Sequence, residues 1–167
     1  MDKLLLVIGG GIESIPGIFI AKKLGIKVLV SDMNPNAPAF EICDYKIIAS
    51  TYDYLKTSEL AKSFSINIKK IDGVLSLAAD VPYTVSWVAK ELNIPYCNSL
   101  ETAKLSSNKY QMKKEFKNNN IPIPSFWKIE TLDELFKIAK TQGLPLVIKP
   151  FDGRGARGVF ILNELKQ

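Results

Sequence analysis

Histidine is absent from this chain of 167 residues, which removes the commonest general base, metal ligand and near-neutral proton switch from consideration. Cysteine is almost as scarce. Cys43 and Cys97 lie far apart, with no C-x-x-C spacing and no histidine to complete a metal set, so both read as small core residues. No apolar run is long: Leu4-Leu5-Leu6-Val7-Ile8 passes straight into Gly9-Gly10-Gly11, too short for a signal segment or a membrane span. A cytoplasmic protein is the expectation that follows. The net charge is +5, yet the lysines are scattered instead of forming a dense basic run, so charge alone does not suggest a nucleic-acid partner. Internal repeats and low-complexity segments are missing too. What remains is ordinary globular composition, 47% hydrophobic and 23% charged, in a length that suits one large or two small domains.

The first hundred residues alternate strand and helix signals. Residues 3–8 read as a buried strand, 13–24 as a helix stopped by Gly25, and 27–30 as a second strand. Residues 47–49 suggest a third strand, 54–64 a helix, 73–77 a fourth strand and 81–92 another helix, with a short fifth strand at Pro95-Tyr96-Cys97. Apolar strands separated by helices imply a parallel sheet covered on both faces. A second unit begins near 102–107, with a helix over 108–117, a strand at Phe126-Trp127, a helix over 132–141 and a hairpin after it. Trp87, Tyr83, Tyr110, Phe116 and Trp127 read as core aromatics on these elements.

The most informative segment is Val147-Ile148-Lys149-Pro150-Phe151-Asp152-Gly153-Arg154-Gly155-Ala156-Arg157-Gly158-Val159. It sets a lysine at the end of an apolar strand, expected to be largely buried from Leu144 to Ile148, just before a glycine-rich basic loop. Gly153, Gly155 and Gly158 let the backbone turn and approach a ligand, while Lys149, Arg154 and Arg157 offer donors suited to phosphate oxygens. Asp152 is a partner for Lys149 or a turn former. The order is neither that of a Walker loop nor that of a Rossmann fingerprint. An exposed hairpin turn, glycine-rich for geometry and basic for solubility, is the alternative.

With these residues the chain resembles the ATP-grasp superfamily. Ser107-Asn108-Lys109-Tyr110-Gln111-Met112-Lys113 followed by Asn120-Ile121-Pro122-Ile123-Pro124-Ser125-Phe126 is similar to the start of that family's ATP-binding domain. The resemblance implies an α/β protein: a Rossmann-like parallel-sheet preATP-grasp domain over 1–104, then the first part of an α+β ATP-grasp domain over 105–167, incomplete at its carboxyl end. It implies ATP contacts at Lys109, Lys149, Gly153, Arg154, Gly155, Ala156 and Gly158, with Lys149, Arg154 and Arg157 stabilising charge during catalysis. It implies Mg²⁺ held by residues expected beyond Gln167, and ATP-dependent joining of a carboxylate to an amine through an acyl phosphate. Expected partners are small-molecule carboxylate and amine substrates, with no nucleic acid and no membrane; a homodimer is left open.

In the first unit, Gly9-Gly10-Gly11 with Asp32 follows the order strand, glycine turn, helix, strand, acid of a dinucleotide fold, but Ser14 replaces the third glycine. An NAD-binding oxidoreductase is therefore one alternative function, and a non-catalytic nucleotide-binding module another. In ATP-grasp relatives this loop serves the substrate side, which makes Gly10, Gly11, Glu13 and Asp32 candidate substrate residues, and Ser31-Asp32-Met33-Asn34-Pro35-Asn36-Ala37-Pro38 also resembles those relatives. Asp80 joins them from the end of the fourth strand, where it is a candidate ligand or the cap of the following helix.

Overall fold

The computed structural model describes residues 2–95, 97–153 and 155–165. The chain divides into two compact units, Met1–Lys104 and Leu105–Gln167. The first contains β1 (Leu4–Ile8), α1 (Ile15–Lys23), β2 (Lys27–Asp32), β3 (Tyr45–Ile48), α2 (Tyr54–Asn67), β4 (Gly73–Leu75) and α3 (Pro82–Glu91). The helix α4 (Leu100–Ser106) spans the boundary, and α5 (Lys109–Asn118), α6 (Leu132–Gln142), β5 (Leu146–Ile148) and β6 (Phe160–Leu162) follow.

The four strands of the first unit form one parallel sheet in the order β3-β2-β1-β4. Side chains alternate across a strand, so one apolar run feeds two cores. Leu4, Leu6 and Ile8 of β1 join Leu29, Ile47, Ala61, Phe64 and Val88 on one face. Val7 turns the other way, against Ile18, Ala21, Val28 and Val30. Both faces being covered explains why β1 is apolar throughout and β2 is apolar from Val28 to Val30, without alternation. Asp72 pins the start of β1: its carboxylate accepts the Leu4 N–H at 3.0 Å and pairs with the Lys3 ammonium at 2.8 Å.

The second unit has a thinner interior. β5 and β6 form a two-stranded antiparallel sheet, in which Val147, Phe160 and Ile161 are more than half exposed. The expectation of a largely buried strand before Lys149 is thus corrected, because a lone hairpin has one partner strand and cannot cover both of its own faces. α6 begins on a capping box: Glu134 N–H donates to the Thr131 hydroxyl, and the Glu134 carboxylate accepts the Thr131 N–H.

Several local expectations also change. Residues 126–127 form no strand, and neither Pro95 nor Cys97 lies in one; Tyr96 is outside the described residues. Cys43 is half-buried at the edge of the second core, and Cys97 is exposed, lying where 97–99 form no regular structure. Trp127 is exposed for the same reason, whereas Trp87 packs on Tyr54 at 4.7 Å between ring centroids. Sequence reading missed α4, whose signal was the Ser99 hydroxyl accepting the Thr102 N–H, a short cap without apolar periodicity.

Candidate functional site

The candidate residues fall into two groups, one in each unit. In the first unit they gather at the carboxyl ends of β1, β2 and β4, where open α/β sheets receive ligands. Asp32 ends β2 and turns its carboxylate onto the neighbouring glycine turn. One oxygen accepts the Gly10 N–H at 2.7 Å and the other the Asn34 N–H at 2.9 Å. The Gly10 carbonyl accepts from Ala39 N–H at 3.0 Å, so both polar groups of Gly10 are engaged within the chain. A Cβ on Gly10 would stand 3.0 Å from the Ala37 Cβ and 3.1 Å from Val30 Cγ1, so any larger residue there must push these neighbours aside.

Ser14, at the position where the dinucleotide fingerprint wants a third glycine, is buried and donates its hydroxyl to the Gly9 carbonyl at 2.9 Å. The turn is held from inside by a side chain and not by close helix approach. Glu13 is exposed beside Gly11, its carboxylate lying 2.9 Å from where a Gly11 Cβ would stand. The β4–α3 connection also touches the turn, with the Ala79 Cβ 3.0 Å from a Cβ built on Gly9. Asp80 follows, exposed; the cap position of α3 falls on Val81, so Asp80 is not the N-cap residue.

In the second unit, α5 brings Lys109 to the glycine loop. The Asn108 side chain caps the helix by accepting from Tyr110 N–H at 3.1 Å and Gln111 N–H at 3.0 Å, leaving the Lys109 backbone N–H directed elsewhere. That N–H donates to the Phe151 carbonyl at 2.8 Å, and the Lys109 ammonium donates to the Gly153 carbonyl. Lys149, directly after β5, is exposed and makes no side-chain hydrogen bond or ion pair among the described residues. Asp152 is therefore not its partner. Arg157 is likewise exposed without a side-chain partner among the described residues. Arg154 lies outside the described residues.

Pro150, unnoticed in the sequence, is what the loop folds around. Cβ atoms built on Gly153 and Gly158 would each come within 3.0 Å of its ring. Gly155 at φ 59° and Ala156 at φ 58° make the far bend, and a Cβ on Gly155 would meet nothing within 4 Å. The loop thus offers open backbone and, among the described residues, unpaired positive charge on one short segment.

The second unit therefore presents a glycine loop tied to Lys109, and the first a parallel sheet with an acid-braced turn. Over 99% of its length the chain superposes on 42% of N5-carboxyaminoimidazole ribonucleotide synthetase from Thermotoga maritima, at a TM-score of 0.73 and 27% identity. In sequence it is 27% identical over 175 residues to the formate-dependent phosphoribosylglycinamide formyltransferase of Sulfurisphaera tokodaii, covering 99% of this chain and 41% of that protein. It is also 27% identical over 124 residues to the 3-methyl-D-ornithine–L-lysine ligase of Methanosarcina acetivorans, covering 73% of this chain and 32% of the ligase. In fold and in sequence the chain is similar to ATP-grasp ligases. No family model matches it. It spans less than half the length of each of these ATP-grasp relatives. The four-stranded parallel unit matches the preATP-grasp domain of such ligases. Among the described residues no helix is long and apolar enough to cross a membrane.

Proposed function

We infer that this chain supplies the preATP-grasp domain and the phosphate-facing lysines of an ATP-dependent ligase that joins a carboxylate to an amine or similar nucleophile. The observation that carries the reading is the convergence of Lys109 on the glycine loop that Lys149 opens, two cations from distant parts of the sequence brought to one segment. The residues fit a triphosphate: Lys149 and Arg157 lack protein counter-charges among the described residues, and the backbone at Gly155 is open to a ligand.

ATP, when bound, supplies the phosphoryl group that turns the carboxylate into an acyl phosphate open to attack by the amine. Lys109, Lys149 and Arg157 would hold the phosphates and offset the charge that develops there, which is where phosphoryl transfer gains most of its catalysis. Arg154, Gly153, Gly155, Ala156 and Gly158 join them by resemblance. Among the described residues no three His, Cys, Asp or Glu side chains are grouped to hold a metal ion. On the substrate side, Gly10 and Asp32 shape the turn, and the half-buried Gly11 with exposed Glu13 and Asp80 face the carboxylate or amine.

The dinucleotide reading is disfavoured by Asp32, whose two carboxylate oxygens each already accept a backbone N–H and so brace the turn. Parallel titrations of the chain with ATP and NADH test the choice. A response to millimolar ATP with none to NADH supports the ligase reading, whereas NADH fluorescence enhancement without an ATP response overturns it. Trapping an acyl phosphate with hydroxylamine in the ligase tests the intermediate.

A further inference from the structure

Lys109 is expected to hold phosphate, yet without ligand its ammonium is already engaged by the Gly153 carbonyl. Its backbone N–H meets the Phe151 carbonyl two residues earlier, so one residue grips both ends of the stretch Phe151-Asp152-Gly153. Pro150 backs the same stretch, with the positions of Gly153 and Gly158 closed against its ring. Beyond the grip, 155–158 are exposed, and among the described residues a 3.3 Å bond from Val159 N–H to the Ala156 carbonyl is the one backbone bond that crosses the bend.

We propose that Lys109 is a switch residue that clamps the start of the glycine loop through Gly153 in the ligand-free protein and releases it by exchanging that carbonyl for a phosphate oxygen. The physical argument is competition for one ammonium. A neutral carbonyl is a weaker acceptor for an ammonium than a phosphate oxygen, because the anion adds the attraction of opposite charges to the hydrogen bond. Lys109 therefore prefers the anion once it arrives. The backbone bond to Phe151 is unaffected by the exchange, so the loop stays anchored at 151 while the hold on Gly153 is given up. Helix α5 is spared as well, its cap being the Asn108 side chain. The inference rests on the nucleotide reading for its second half only; the clamp itself is a property of the ligand-free chain.

Nuclear magnetic resonance on the wild-type chain, Lys109→Met and Lys109→Arg, without ligand and with millimolar Mg-ATP, tests both halves. Without ligand, Lys109→Met should shift the Gly153 carbonyl resonance and speed amide exchange at Gly153, Gly155 and Gly158 severalfold, with unchanged far-ultraviolet circular dichroism. Lys109→Arg, which keeps a cationic donor, should restore most of the protection. Equal exchange in wild type and Lys109→Met overturns the clamp. With Mg-ATP, wild-type resonances at Lys149 and the Gly153 carbonyl should move together, the latter toward its Lys109→Met position. Movement at Lys149 with the Gly153 carbonyl unmoved overturns the release. No movement at Lys149 sinks the nucleotide reading instead and leaves the clamp to be judged by the ligand-free comparison.

Discussion

The carboxylate of Asp32 closes the Gly10 turn from below, accepting the Gly10 N–H at 2.7 Å while its second oxygen takes the Asn34 N–H. An acid in the ribose-binding position of a dinucleotide fold has here become a brace for the backbone. Asp32→Ala strands a buried N–H at Gly10, which costs about 1–3 kcal/mol of stability. Asp32→Asn, keeping one acceptor oxygen, should cost less. Chemical denaturation of the two variants orders them, and equal stability in both would remove the brace.

Lys149 should matter to chemistry and not to folding. It is exposed and unpaired among the described residues, so Lys149→Ala should leave stability within about 0.5 kcal/mol of wild type. ATP-dependent turnover of the ligase should nonetheless be lost, and Lys149→Arg should also be impaired, because a planar fork does not replace a compact ammonium. Normal turnover in Lys149→Ala would return the residue to the surface.

The bend at Gly155-Ala156 predicts substitutions of opposite sign. Ala156 has φ 58°, a conformation that costs an ordinary residue roughly 1–2 kcal/mol, so Ala156→Gly should relieve local strain and slow exchange in the loop. Gly158 has φ 70° and a closed Cβ position against Pro150, so Gly158→Ala should loosen the same loop. Exchange rates measured residue by residue would show both effects, or neither if the bend is not as described.

Acid should weaken the first unit through Asp72. The Lys3 ammonium, with the Leu4 N–H, holds the Asp72 carboxyl below the usual carboxylate range. A group whose pKa is depressed on folding stabilises the protein above its unfolded value of about 3.9, and that contribution is lost as pH falls through the folded value. Asp72→Asn should therefore flatten the decline of stability below about pH 4. Melting curves across that range decide it, and an identical decline in the variant would exclude Asp72.

Deep in the sheet, Leu6→Ala should cost about 2–5 kcal/mol, since Leu6 is fully buried on the face that α2 and α3 cover. Denaturant midpoints measure this loss. A cost near zero would contradict the close packing of β1.

The sequence by itself determined the order of strands and helices in the first ninety or so residues, because apolar runs and their glycine punctuation depend on local periodicity and on burial that any parallel sheet demands. It also marked the basic glycine loop, whose residue types are legible without a fold. The aromatic at 127 and the run at 144–148 misled, since hydrophobicity does not reveal whether a neighbouring layer exists to cover it. Only tertiary structure decided that Asp32 braces a turn, that Ser14 stands in for a glycine by bonding Gly9, and that Lys109 reaches Gly153. Those roles depend on which backbone groups lack partners once chain segments meet, a quantity fixed by three-dimensional proximity and not by spacing along the chain.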